Sequence, residues 1–345
     1  MAIQNLLFPA DDRADDPAAH VATTRLARAA VDAAPLDDAL RALADGFDAR
    51  WPGRWHLGTS SWHFPGWAGL VWDRRHPAAT LSREGLAAYA AHPLMRCTSL
   101  DRSFYRALAA AEYRRLADQV PPGFRFVVKA PATLTDASLR DPATGAPRAD
   151  NPGFLDPAHA LADVVEPLRE GLGPTLGVLV LQISPLPARW LGDPPAWRAR
   201  LARLLGVIVP ALPASAILAL ELRDAELLEP ALAELLREHH VRPCLGLHDR
   251  MPPAQAQLPF LRAAWPGDLV CRWNLQRGQR YAQARDRWAP FDRLQSEDLP
   301  TREVLARVMR GTLDAGYRAF VTINNKAEGC APASVAALAR ELARS

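Results

Sequence analysis

Eight short apolar runs, each closing on a polar or charged residue, recur along the chain: Trp55 to Ser60, Cys97 to Ser103, Phe124 to Lys129, Leu176 to Gln182, Ile217 to Arg223, Pro243 to Asp249, Leu269 to Asn274 and Ala319 to Asn325. Most of the segments between them are long enough for a helix. The chain therefore reads strand, helix, strand throughout, which calls for a parallel sheet covered on both faces. Eight such units close into a TIM (β/α)8 barrel, a fold that commonly fills about 250 residues. The 345 residues divide accordingly into an N-terminal helical extension over 1–50 and a barrel domain over 51–345. In a barrel of this kind the carboxyl ends of the strands meet at one mouth, and here those ends carry Asp101, Lys129, Gln182, Glu221, Arg223, Asp249, Arg272 and Asn324.

Strand parity fixes which residues face inward. In Ile217 to Arg223 the residues Leu218, Leu220 and Leu222 alternate with Ile217, Ala219, Glu221 and Arg223, so the leucines face the helical ring and the other set the barrel interior. The same alternation places Lys129 with Val127, and Gln182 with Val178 and Val180. In the extension, Leu26, Ala29, Ala30, Val31 and Ala34, then Leu40, Leu43 and Phe47, recur at helical spacing around Pro35. Two short helices behind a partly flexible lead are expected. The Pro-, Asp-, Asn- and Gly-rich stretch from Ala137 to Pro157 follows strand three on the mouth side and reads either as a lid or as a surface excursion.

Composition excludes more than it assigns. A formal charge of +3, from 41 basic and 38 acidic residues, gives no reason to expect a nucleic-acid partner, although it leaves one possible. Cys97, Cys244, Cys271 and Cys330 are widely spaced, so neither a zinc ribbon nor a disulfide framework is indicated. The longest apolar stretch, Leu204 to Leu220, is broken by Pro210 and Pro213, which argues against a membrane span, and no secretory leader is evident; a cytoplasmic protein is expected. Gly171 to Gly177 misses the dinucleotide fingerprint, and the sequence holds no P-loop or GxSxG elbow. No cofactor is expected, and nothing sets the oligomeric state.

Several stretches bring chemistry to the mouth. The first strand runs into Ser60-Ser61-Trp62-His63-Phe64-Pro65-Gly66-Trp67, where Ser60 leaves backbone N–H groups approachable and Trp62 offers a pocket wall. Lys129 is placed to serve as an anion ligand, as an electrostatic stabiliser, or as an amine whose pKa is lowered by burial; a plain ion pair with Glu221 or Asp101 is the alternative. Glu221 is the leading acid–base candidate, because an inward carboxylate in a dry mouth has its pKa raised, unless Arg223 pairs with it. Asp101, Glu221, His248 and Asp249 supply metal-ligand atoms, but neither HExxH nor HxH spacing is present, and no metal site is expected. Arg272, Asn324, Asn325 and the Gly329–Pro332 turn suggest a phosphate or carboxylate cradle after strands seven and eight. The insertion from Gln276 to Asp298 adds Tyr281 among arginines.

Taken in order, these stretches resemble the YecE-like family, also called domain of unknown function 72 (DUF72). The likeness runs through the Gly58-Thr59-Ser60 opening, Ser103-Phe104-Tyr105-Arg106, the Phe124–Pro131 element containing Lys129, Leu181-Gln182, Glu221-Leu222-Arg223, and Asn324-Asn325 with Pro332. It implies a TIM barrel and adds Tyr105 to the pocket, but it implies no reaction. Four departures stand out. Ser61 replaces a glycine, Ser99 an acid that reappears at Asp101, Asp224 a histidine after Arg223, and Asn274 a second histidine after Arg272. The expectation is a hydrolase-type enzyme for a small anionic or polyhydroxylated substrate, with Glu221, Lys129 and Asp101 catalytic and Ser60, Trp62, Tyr105, Gln182, Arg223, Arg272, Tyr281, Asn324 and Asn325 binding. A non-catalytic binder of a phosphorylated metabolite or nucleic-acid phosphate, and a divalent-metal phosphoesterase, are the alternatives.

Overall fold

The computed structural model describes residues 31–35, 37–141 and 144–344. All eight runs form strands: β1 Trp55–Thr59, β2 Cys97–Leu100, β3 Arg125–Lys129, β4 Leu176–Gln182, β5 Ile217–Glu221, β6 Arg242–Leu247, β7 Leu269–Trp273 and β8 Ala319–Ile323. Each pairs in parallel with its sequence neighbours, and β8 closes on β1, from Trp55 opposite Ala319 to Thr59 opposite Ile323. The chain is thus a closed (β/α)8 barrel. Several strands stop short of the apolar runs that announced them: β2 ends at Leu100 because Asp101–Phe104 turns into one 3-10 helix.

The parity reading holds. Cys97, Val127, Val178, Val180, Ile217, Ala219, Cys244, Val270 and Phe320 form a separate cluster inside the barrel, while Leu218, Leu220 and Leu222 belong to the outer core against the helices. Inward positions above that apolar plug are where Lys129, Gln182, Glu221 and Arg272 stand. Helices of the ring start where sequence chemistry says they should. Asp193 caps Pro194–Ala211 by accepting from the Ala196 N–H at 3.1 Å, and Asp298 caps Leu299–Asp314 by accepting from the Thr301 N–H at 3.2 Å. A proline follows each cap inside the first turn, where its missing N–H is not needed.

Of the two helices expected in the extension, the second is present as Asp38–Arg50, capped by Asp37. Its Phe47 packs against Trp51 and Trp55, which ties it to the start of β1. Of the helix expected through Leu26, Ala29, Ala30, Val31 and Ala34, the part up to residue 30 lies outside the described residues, and Val31 to Ala34 is not helical. That segment is held by backbone contacts instead: Ala34 donates to the Val71 carbonyl at 2.9 Å, and Ala33 bridges Trp72.

The Ala137–Pro157 stretch folds into a two-stranded hairpin, Ser138–Arg140 against Pro147–Asp150. Asn151 pins its base by donating to the carbonyls of Thr133 at 2.8 Å and Asp136 at 2.7 Å. None of its described residues lines the mouth cavity, which favours the surface reading over the lid reading.

β1 and β2 approach each other over Gly58, where a Cβ would overlap the Cys97 carbonyl oxygen. Because backbone rather than a flexible side chain blocks the space, Gly58→Ala is expected to lower stability by about 1–3 kcal/mol or more, read as a fall in the urea midpoint. An unchanged midpoint would contradict this packing.

Candidate functional site at the mouth of the barrel

At the carboxyl end of the strands a cavity of about 100 Å3 is lined by Ser60, Ser61, His63, Phe64, Asp101, Tyr105, Lys129, Gln182, Arg223, His248, Arg272, Asn274, Tyr281 and Asn324. Nine of the residues expected at the mouth therefore meet there. Three do not. Trp62 is buried in the core with the Arg102 guanidinium 5.8 Å from its ring, so it forms no wall. Asn325 is spent inside the fold, its Oδ1 accepting from Trp67 Nε1 at 3.1 Å and from the Ala331 N–H at 2.8 Å. Glu221 lies beneath the cavity and is fully buried.

The charges under the cavity form one chain. Glu221 Oε1 is 2.6 Å from Arg223 Nη1, and Oε2 accepts from Arg272 Nη1 at 2.5 Å. Arg272 reaches on through Nη2 to Asp101 Oδ1 at 2.6 Å, and Arg223 Nη2 donates to Gln182 Oε1 at 3.0 Å. Burial alone would raise the Glu221 pKa, but the two guanidinium groups overrule it and hold the carboxyl down at about 2. Glu221 is therefore an ionised anchor, and the general acid–base role expected of it has no proton to use near neutrality. Arg272 is correspondingly spent: only 2% exposed and clamped between two carboxylates, it does not make the expected anion cradle. The cradle's other half is closed as well. The helix Ala331–Arg344 has its first N–H taken by Asn325, and no residue of the Gly329–Pro332 turn lines the cavity.

Lys129 is different from every other charged group at the mouth. Its amine makes no hydrogen bond or ion pair among the described residues, so the ion pair with Glu221 or Asp101 does not form. It sits 3.4 Å from the centroid of the Phe104 ring. The local chain explains this position. Ser103 Oγ lies 2.6 Å from both the Leu100 and the Lys129 carbonyl oxygens, tying the 3-10 turn after β2 to the end of β3 and bringing Phe104 under the amine. Burial, then the nearby Arg272 and Arg223 against the opposing pull of Asp101, lowers the Lys129 pKa to about 7.

The remaining groups are polar and mostly neutral. Burial and Arg102 push His63 down to about 4, and its Nδ1 meets Ser61 Oγ at 2.9 Å. His248 also falls to about 4, through burial and Arg223, although Asp249 Oδ1 lies 2.5 Å from its Nδ1. The two can meet because β6 has ended at Leu247, so strand alternation no longer separates them. The four possible metal ligands are thus divided among Arg272, Arg223 and one another, and no cluster of three His, Cys, Asp or Glu occurs among the described residues. Asn324 Nδ2 donates to Ser60 Oγ at 2.7 Å, and Asn274 Nδ2 reaches Glu221 Oε1 at 3.3 Å. The Tyr281 hydroxyl is buried at the cavity wall without a hydrogen-bond partner among the described residues.

Sequence reasoning passed over Ser61, His63, Phe64, His248 and Asn274 as lining residues, and Lys326 altogether. Lys326 is fully buried behind the wall, its Nζ 4.2 Å from the Tyr281 ring centroid and 3.5 Å from Asn324 Oδ1. Burial lowers its pKa to about 7. A lysine directly after two asparagines at a strand end was the available signal.

The departures from the family pattern have places here. Ser99 lies within β2 with its Oγ 3.4 Å from Thr322 Oγ1, while Asp101, just past the strand end, supplies the carboxylate that meets Arg272. Asp224 is structural, accepting from the Leu186 N–H at 2.8 Å.

Among the described residues no helix is long and apolar enough to cross a membrane. No curated protein matches the chain. Two solved relatives share its fold: a DUF72 family protein of Enterococcus faecalis at 16% identity, covering 84% of this chain and 96% of that one with a TM-score of 0.59, and one of Thermotoga maritima at 16%, covering 84% and 98% with a TM-score of 0.52. Residues 56–345 match the family described as protein of unknown function DUF72. The chain, with its closed eight-stranded barrel, belongs to the DUF72 family.

Proposed function

We propose that the mouth is an active site for a small anionic or polyhydroxylated molecule, and that Lys129 supplies its reactive group. One observation carries this reading: beside charges that are otherwise paired, the Lys129 amine at the cavity has no hydrogen-bond or ion-pair partner among the described residues. With a pKa of about 7, half of it is a neutral amine at physiological pH, able to take a proton from water or from substrate, as hydrolysis requires of a base. This moves the acid–base role from Glu221 to Lys129. Glu221 and Asp101 instead fix Arg272, and through Glu221 the orientation of Arg223. The Asn324 and Asn274 amides and the Ser60 and Tyr281 hydroxyls offer hydrogen bonds to substrate oxygens. When Lys129 is protonated, the two arginines and the lysine outweigh the two carboxylates, which favours an anionic ligand.

A binding protein without catalysis is the second reading. It is favoured by the fact that both carboxylates at the mouth are held by arginine, leaving no free acid to partner the amine.

Thermal shift with phosphate, glyoxylate and pyruvate tests the ligand class. Protection by at least one anion, lost in Lys129→Met and Arg223→Gln, is expected. Equal protection of those variants would reject this site. Adding cyanoborohydride to the carbonyl probes then asks whether the amine is also nucleophilic. A stable adduct on Lys129 marks covalent chemistry, whereas none, with a pH profile breaking near 7, marks a base.

A further inference from the structure

A second and larger cavity, about 290 Å3, opens at the opposite end of the barrel. It lies between the carboxyl-terminal halves of two ring helices, Ala254–Ala263 and Leu299–Asp314, and against the starts of β6 and β7. Its size is at the small end of ligand pockets, which run from about 300 Å3 upward.

Its walls are apolar: Pro243, Leu258, Leu261, Leu269 and Val308, with Trp265 at the edge. Trp265 is 42% exposed, an unusual situation for an indole. Its ring meets Tyr317 edge-on at 5.2 Å between centroids, so it is held in place rather than loose.

Four charged residues line the cavity, and two of them are already used. Arg242 donates to the carbonyls of Ala264 at 2.7 Å, Pro266 at 2.9 Å and Asp268 at 3.0 Å, which satisfies the acceptors that follow the end of the Ala254–Ala263 helix. Asp268 accepts from Arg318, from its backbone N–H at 2.7 Å and from Nη2 at 2.7 Å. Arg262 and Arg307 remain, one from each helix. Both are exposed, and neither side chain makes a hydrogen bond or an ion pair among the described residues. An apolar slot flanked by two unspent guanidinium groups has the complementarity of an amphiphilic anion: burial of hydrocarbon supplies affinity, and arginine supplies a planar partner for a carboxylate.

We propose that this cavity binds a small amphiphilic carboxylate. A hydrocarbon chain or ring of about six to ten carbons lies on Leu258, Leu261 and Trp265, and its carboxylate meets Arg262 and Arg307. The site is independent of the mouth and of the reading given to Lys129.

Titration calorimetry on the full chain with octanoate and octanol tests this. Octanoate is expected to bind at one site and octanol at least tenfold more weakly. The double variant Arg262→Gln/Arg307→Gln, which changes only exposed side chains, is expected to lose at least tenfold in octanoate affinity and to leave octanol unchanged. Gly311 lines the cavity with nothing within 4 Å of where a Cβ would stand, so Gly311→Leu fills the space on a helix that gains from losing a glycine. It is expected to fold and to bind neither probe. Octanoate binding that survives either variant, equal affinity for octanol, or no octanoate binding in the millimolar range would overturn the proposal.

Discussion

Glu221→Gln is expected to lower stability by about 3–5 kcal/mol, because it removes the charge that two buried guanidinium groups share. The carboxylate is fully buried, with Arg223 and Arg272 at 2.6 and 2.5 Å, and Asp101 then remains to balance both cations. Adding Arg223→Gln removes one of the stranded charges, so the double variant is expected to recover much of the loss in urea unfolding. The pH dependence has a definite sign. The folded carboxyl titrates near 2 rather than near its ordinary 4.5, so its contribution is complete above about 4.5 and is lost as pH falls toward 2. A Glu221→Gln protein as stable as the parent would mean that these pairs do not hold the floor of the mouth together.

Lys129→Met is expected to do the opposite: to leave the protein more stable while cutting the activity proposed for the mouth. Activity on a true substrate should fall by about 10²–10⁴, the usual worth of a positioned base. Stability rises because methionine fills a similar volume without a desolvated amine. Between pH 7 and 10.5 the unfolded chain binds a proton at Lys129 that the folded chain does not, so stability climbs with pH across that window. Below 7 both forms are protonated and the full penalty remains. Lys326 behaves in the same way, so the variant should lose roughly half of the slope that the two lysines produce. Chemical unfolding at pH 7 and pH 10 measures it; an unchanged slope would mean that the Lys129 amine is solvated.

The barrel was legible because its determinants are local and repeated. Apolar runs at crossover spacing specify parallel strands, and period-two alternation within β5 already separates Leu220 from Glu221. Lys129, Gln182, Glu221 and Arg272 face inward for the same reason, since each continues an inward row. What alternation does not encode is which charges meet one another. Arg272 reads as an anion ligand until its distances to both Glu221 and Asp101 are known, and those contacts join three strands far apart in sequence. Glu221 reads as a titrating acid until the same arginine is seen to hold it ionised. Parity also ends with the strand: Trp62, Asn325 and His248 lie beyond the strand ends, where direction is set by tertiary contacts, and two of them are buried away from the mouth while the third joins it. The Gly329–Pro332 turn has the composition of a phosphate cradle, yet a single side chain, Asn325, occupies its first helical N–H.

The chemistry proposed for the mouth turns on the protonation state of one amine. Limited acylation of the native protein with acetic anhydride over pH 5 to 10, followed by mass spectrometry of the Lys129 peptide, reads it directly. Surface amines become reactive only toward their ordinary pKa near 10.4. Lys129 is predicted to label with a midpoint of about 7, and a small anion bound at the mouth is predicted to protect it. A midpoint above 9, with labelling indifferent to anions, would contradict the assignment of Lys129 as the reactive group.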